Sequence, residues 1–205
     1  SVVAPCTANE AGEAITAMIK NGGTGYLRLD KTGAKDCFSE DPFVIGKSRR
    51  YKEGKDITLI AIGSILGDAN TASVELKKLG IDARVVGMHS IKPIDVDEII
   101  DAATNTGGIV TIEEHNKDGG LGSAVSEVCM DLGMMPVKFL RIGLENKYSS
   151  IVGSQQYLRS RYDMDSKAII NKVKKILNSW KQFKTDVENY DNKSSIFWIP
   201  KIMVW

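Results

Sequence analysis

The sequence predicts a doubly wound α/β fold with a mostly parallel sheet, one antiparallel strand and helices on both faces. Three observations carry this. Strands and amphipathic helices alternate from Ile57 onward, and repeated strand-helix-strand units pack as parallel sheets through right-handed crossovers. "ITLIAI" (Ile57 to Ile62) is a continuous apolar run, as expected of a strand covered on both sides. A turn signal at Glu53-Gly54 between two strand patterns implies a hairpin, and hence the antiparallel strand.

"VVAP" (Val2 to Pro5) reads as a buried strand and "TANE" (Thr7 to Glu10) as a capping box. A helix follows with Ala11, Ala14, Ile15 and Met18 on one face, stopping at "NGG". "GYLRL" (Gly25 to Leu29) is a second strand. One β-α-β unit is too little for a parallel sheet, so this unit is expected to be the last piece of a domain whose earlier part precedes Ser1. The polar run Asp30 to Pro42 reads as a linker. Beyond the hairpin, a helix spans about Leu66 to Leu79, with Ala69, Ala72, Leu76 and Leu79 inward. "ARVVG" (Ala83 to Gly87) is a strand, and "IDVDEIIDAATNT" is a helix capped near Pro93. "GIVTIEE" is a strand, "LGSAVSEVCMDLG" a helix with Val125, Val128, Cys129 and Leu132 inward, and "VKFLRIG" (Val137 to Gly143) the last strand. "DSKAIINKVKKIL" closes with Ile169, Val173, Ile176 and Leu177 on one stripe. Trp180, Phe183, Val187 and Tyr190 prolong a helical stripe, "NYDNKSS" breaks it, and the tail ends on "IFWIPKIMVW" (Ile196 to Trp205). So apolar a tail is expected to pack on its own domain or on a second subunit.

The 205 residues, 42% hydrophobic and 26% charged, suit a soluble globular protein with a real core. A net charge of +1 argues against polyanion binding, which needs clustered Lys and Arg. "KSRR" (Lys47 to Arg50) therefore reads as a solvated hairpin face, with no nucleic-acid partner expected. Cys6, Cys37 and Cys129 lack ligand spacing, which argues for free thiols in a reducing compartment and against structural zinc. No leader opens the chain and no apolar run reaches bilayer length, so the expected location is cytoplasmic, without a membrane partner.

"TIEEHNKDGGLGSAV" (Thr111 to Val125) combines Glu113, Glu114 and His115 with a glycine loop entering a helix. Ligands of open α/β sheets bind at the carboxyl ends of strands, so His115 with a carboxylate could act in acid/base chemistry. No second catalytic group accompanies them, which favours Glu114 and His115 as loop-positioning or interface residues. Gly119, Gly120 and Gly122 do not complete GxGxxG, and close helix-on-sheet packing is their simpler use. Ser64 follows Gly63 without the GxSxG of a nucleophile elbow and reads as an N-cap. Arg28, inside an apolar strand, needs an anion or a structural carboxylate. His89 in "GMHSIKPID" reads as a loop-stabilising residue.

In order along the chain, "VVAPCTANEAGEAI", "GYLRLDK", "GKDITLIAIGSILGDANTASVELKKLGIDARVVGMHSIKPIDVDEII" and "GIVTIEEHNKDGGLGSAV" closely resemble the carboxyl-terminal part of transketolase-type enzymes. Within that group the chain looks like the separate carboxyl-terminal subunit of split transketolases. Relatives are 1-deoxyxylulose-5-phosphate synthase and the β subunits of 2-oxoacid dehydrogenase E1 components. The resemblance spans about Val2 to Leu177. It implies a three-layer α/β/α domain on a mostly parallel five-stranded sheet with one antiparallel strand. It also implies a division of the chain: 1–31 as the end of a pyrimidine-binding domain, 32–42 as a linker, 43–178 as the third domain and 179–205 as an unmatched tail.

The resemblance further implies that a full enzyme holds thiamine diphosphate and Mg²⁺ through a GDG...N motif, absent here, and a glutamate expected before Ser1. No catalytic, cofactor-binding or metal-ligating residue is therefore expected in this chain, nor cofactor bound to it alone. The family's phosphate-gripping arginine in an "LSRQ"-like strand aligns with Arg28, although Leu29-Asp30 depart from the pattern. The implied activity is two-carbon ketol transfer between sugar phosphates. The implied partners are an amino-terminal transketolase half and further copies in a homo-oligomer. Thr111 to Val125 would be a structural and intersubunit loop. The synthase or E1 β domain, and a non-enzymatic docking module, are the alternatives.

Overall fold

The structure is a computed structural model that describes residues 1–35, 37–146 and 148–191, with side chains as far as 178. The expectations for Trp180, Phe183, Val187 and Tyr190 as packing residues, and for 196–205, lie outside these.

The first β-α-β unit is β1 (Val2–Val3), α1 (Ala8–Asn21) and β2 (Tyr26–Leu27). Thr7 caps α1 by accepting from Glu10 N at 3.1 Å, as the capping box predicts. The Glu10 carboxylate reaches Cys6 N at 2.7 Å, one residue before the position the motif names. The strand is shorter than "GYLRL": Tyr26 and Leu27 pair in register with Val2 and Val3, parallel to β1, and the ladder ends where Arg28 N donates to the Val3 carbonyl at 2.9 Å.

β3 (Arg49–Lys52) and β4 (Ile57–Ile62) follow. A 3-10 turn, Gly63–Ile65, leads into α2 (Leu66–Lys78), then β5 (Ala83–Gly87), β6 (Ser90–Lys92) and α3 (Val96–Asn105). Next come β7 (Ile109–Asn116), α4 (Leu121–Asp131), β8 (Phe139–Leu144), α5 (Gln155–Arg161) and α6 (Ser166–Asp191). The main sheet has the order β3-β5-β4-β7-β8. All neighbours are parallel except β3, which runs antiparallel to β5 with Arg49 opposite Gly87. A smaller sheet, β2-β1-β6, joins the first unit to the strand after β5.

The predicted hairpin is corrected here. β3 pairs with β5, not with β4, so the segment through Gly54 passes over the end of β5. A Cβ at Gly54 would overlap the backbone of Ala83 and Arg84, so this glycine serves a close crossing and not a hairpin turn. "KSRR" is accordingly no solvated hairpin face. Arg49 is buried and donates to Glu13 at 2.8 and 3.1 Å, and Arg50 donates to Glu98 at 2.7 Å and Asp101 at 2.5 Å.

The side chains of β4 alternate between two cores. Ile57, Leu59 and Ala61 meet α2 and α6 through Ala69, Leu76, Ile169 and Val173. Ile60 and Ile62 meet α3 and α4 through Ile99, Ala102, Val125 and Cys129. This is the three-layer arrangement expected. Three predicted inward residues face solvent: Ile15, Leu79 and Leu132. The latter two cap their helices' carboxyl ends, where the chain is leaving the core. The cap of α3 is Asp95, two residues past Pro93; it accepts from Glu98 N and also from Ser48 N and Oγ. β6 and α5 were not anticipated from the sequence pattern. None of Cys6, Cys37 and Cys129 is in a disulfide. No helix among the described residues is long and apolar enough to cross a membrane.

Candidate functional site

The carboxyl end of β7 splits its two glutamates between opposite faces, as a strand must. Glu113 turns toward α4 and accepts from Leu121 N at 2.7 Å and Gly122 N at 2.9 Å. The helix N-terminus thus receives an anion from its own chain. Burial pushes the Glu113 carboxyl up, while the two amides and His115 pull it down. Space for this carboxylate exists because residue 120 is glycine: a Cβ there would overlap Glu113 Oε2. At Gly122 a Cβ would lie 2.7 Å from Thr111 Oγ1 and Arg141, the close helix-on-sheet packing predicted for these glycines.

Glu114 turns to the other face. Its Oε2 accepts from Arg159 Nη2 at 2.5 Å, Gln155 Nε2 at 2.9 Å and Ser64 Oγ at 3.5 Å. Arg159, buried, also donates to Ser64 Oγ at 2.7 Å and Asp68 Oδ2 at 2.8 Å. This corrects the reading of Ser64 as an N-cap. Ile65 holds the cap position of α2 with no side-chain bond, because the 3-10 turn separates Ser64 from the helix and turns its hydroxyl into the cluster. The Ser64 amide donates to Asp30 Oδ2 at 2.8 Å.

Arg28 sits at the edge of the same network. Its Nη2 lies 3.1 Å from Asp30 Oδ1 and donates to the Glu114 carbonyl at 3.3 Å. The structural-carboxylate alternative for this arginine is therefore realised, yet its side chain keeps 32% exposure and lines a cavity. That cavity, about 270 Å³, is walled by Tyr26, Arg28, Ile62, Glu113, His115 and Gly120. His115 is exposed, and its Nδ1 is 2.9 Å from the Asn116 carbonyl. A second cleft, about 490 Å³, is lined by Thr32, Lys35, Ser64, Asp68, Gln155 and Arg159. Glu114 thus joins Ser64, Gln155 and Arg159, while His115 lines a cavity with Arg28.

A separate buried network joins α1 to the main sheet. Glu10, fully buried, accepts from Tyr51 Oη at 2.7 Å and Arg49 Nη1 at 3.5 Å, and His89 Nδ1 lies 3.9 Å away. Burial and Glu10 hold the Tyr51 phenol well above its usual range. His89 takes a loop role as predicted: its Nε2 is 3.1 Å from the Val44 carbonyl and its ring stacks on Phe43 with centroids 4.0 Å apart.

Sequence reasoning missed Arg159, Asp68, Gln155 and the hub at Glu10. "QQYLRSR" carries no apolar stripe, so nothing marked its arginine as buried; the capping box accounted for Glu10 and concealed its second role. For Mg²⁺ the described residues offer no ready ligand set. Among the described residues no three His, Cys, Asp or Glu groups gather to hold a metal. The two edge carboxylates, Glu113 and Glu114, are already engaged by amides and by Arg159.

A doubly wound α/β domain with a charged carboxyl edge, tied to a preceding β-α-β unit, is the class that fold and site define. The chain belongs to the transketolase C-terminal domain family: the family profile "Transketolase, C-terminal domain" matches residues 46–169. It is 34% identical over 171 residues to one of the subunits of the apulose-4-phosphate transketolase of Phocaeicola vulgatus, covering 82% of this chain and 54% of that protein. It is 33% identical over 175 residues to the putative transketolase C-terminal section of Methanocaldococcus jannaschii, covering 84% and 54%. Against 1-deoxy-D-xylulose-5-phosphate synthase 1 of Geobacter metallireducens it is 33% identical over 176 residues, covering 84% and 28%. A solved "Split gene transketolase, inactive beta4 tetramer" superposes with a TM-score of 0.75 at 34% identity, covering 86% of this chain and 57% of that one. The chain thus spans about half the length of the split-transketolase relatives it matches.

Proposed function

We propose that this chain is the carboxyl-terminal part of a thiamine-diphosphate-dependent transketolase, working with an amino-terminal half that carries the cofactor and moves a two-carbon ketol unit between sugar phosphates. The observation that carries the reading is the 34% identity over 171 residues to a transketolase subunit. Residues 1–31 then close a pyrimidine-binding domain, 32–42 link it to the third domain at 43–178, and the third domain supports the assembled subunit and its homo-oligomer in the cytoplasm. Alone the chain is inactive, a view supported by the inactive β4 tetramer of its structural neighbour. In this reading the thiamine chemistry belongs to the amino-terminal half. Arg28 contributes binding: a guanidinium in the cavity lining, part held by Asp30, suits the phosphate of the substrate.

Reconstitution tests this. The chain mixed with the amino-terminal half, thiamine diphosphate and Mg²⁺ is expected to transfer ketol units between sugar phosphates, and neither component alone to do so. Arg28→Gln is expected to raise KM for a phosphorylated acceptor about tenfold or more, the loss of one charged hydrogen bond, with little change for an unphosphorylated one. Turnover by the chain alone would overturn the proposal. The 33% identity to a 1-deoxy-D-xylulose-5-phosphate synthase favours a second reading, in which the reconstituted enzyme makes 1-deoxy-D-xylulose 5-phosphate; the product formed in the same assay separates the two.

A further inference from the structure

Arg28 and His115 reach the same cavity from different elements, one just past β2 and the other near the end of β7. The ring of His115 is exposed, and the Asn116 carbonyl beside Nδ1 can only accept. That contact holds the tautomer with its proton on Nδ1 and leaves the Nε2 lone pair free for a ligand. Only Nη2 of Arg28 is committed, to Asp30 and the Glu114 carbonyl, among the described residues. The carboxylates that would repel an anion here are engaged: Glu113 by two amides of α4, Asp30 by the Ser64 amide and by Arg28.

We propose that His115 is a second anion ligand facing Arg28, and that the cavity they share holds the phosphate group of a sugar phosphate. His115 is thereby a specificity-determining residue and not a catalytic one. Through Nε2 one hydrogen bond joins ring and phosphate. The inference rests on the phosphate role proposed for Arg28.

The chain has two histidines, and His89 is fully buried on Phe43, so ring-proton NMR reads His115 against an internal reference. At constant pH and ionic strength, inorganic phosphate and an aldose phosphate are each expected to shift the His115 resonances saturably. The unphosphorylated aldose should not, and the His89 resonances should stay in place. In Arg28→Gln the affinity read at His115 is expected to fall about tenfold or more, with unmoved His89 signals reporting a folded chain. A His115 that ignores phosphate, or that responds equally well in Arg28→Gln, overturns the inference. Failure of the functional reading looks different: His115 still answers phosphate while the reconstituted mixture transfers nothing. Conversely, ketol transfer with an unchanged KM for phosphorylated acceptor in His115→Gln sinks the inference and leaves the function standing.

Discussion

The first β-α-β unit and the five-stranded sheet are written in the same alphabet of apolar strands and amphipathic helices, yet they bury it differently. Every residue of β4 is buried. On α1, by contrast, Ile15 and Ile19 are 46% and 75% exposed, and Tyr26 and Leu29 beside it are open as well. What attaches α1 to the main sheet is a pair of carboxylates: Glu13, held twice by Arg49, and the buried Glu10, held by Tyr51 and Arg49 with His89 nearby. The sheet is held by apolar area, the first unit in good part by these carboxylates. An amphipathic stripe points at a core only where the fold supplies an opposing surface.

The strongest way to break the comparison is to cut into the sheet. Leu59→Ala removes a fully buried side chain from the centre of one core and is expected to cost about 2–5 kcal/mol in urea unfolding. Glu10→Ala comes next. It leaves the Cys6 amide and Tyr51 hydroxyl without their acceptor, while Arg49 keeps Glu13, so a loss of about 1–3 kcal/mol is expected. A cost below that of any surface change would show that Glu10 does not hold the first unit.

A smaller effect concerns pH. Burial pushes His89 below its ordinary range, with the nearby Arg49 acting the same way; Glu10, Asp95 and the Val44 carbonyl pull upward less strongly. The unfolded chain therefore takes up this proton first as pH falls. Stability from the neutral buried ring is complete above about pH 6.5 and declines as pH drops toward the folded value. Melting temperatures across roughly pH 5 to 8 should show this slope, and His89→Gln should flatten it. The smallest effect sharpens the contrast: Ile19→Ser on the open face of α1 should change stability by less than about 0.5 kcal/mol by the same urea titration. A loss near that of Leu59→Ala would mean the face is covered in the protein as it exists in solution.

The main sheet was readable because its strands carry continuous or alternating apolar runs and its helices carry stripes of period 3.6. Positions 57–62, 83–87 and the stripe Ala69, Ala72, Leu76 fall where their patterns place them. The hairpin misled because a turn signal says that the chain bends, not which strand it will bend beside. Gly54 makes that bend over the end of β5, a contact between residues about thirty positions apart. At the site, the loop of Thr111 to Val125 was legible as a strand end, a glycine run and a helix start. The opposite uses of Glu113 and Glu114 were not, since neighbours on a strand face different surroundings that local sequence does not name.

Residue order alone determined the alternation of elements, the two apolar faces of the sheet and the glycines that let α4 approach β7, because periodicity and conformational freedom act over a few residues. Only the tertiary structure decided that β5 lies between β3 and β4, that Ser64 and Arg159 meet across 95 positions, and that Arg28 and His115 open onto one cavity. Such pairings depend on long-range closure and on the desolvation of charges together, and neither is encoded in any one segment.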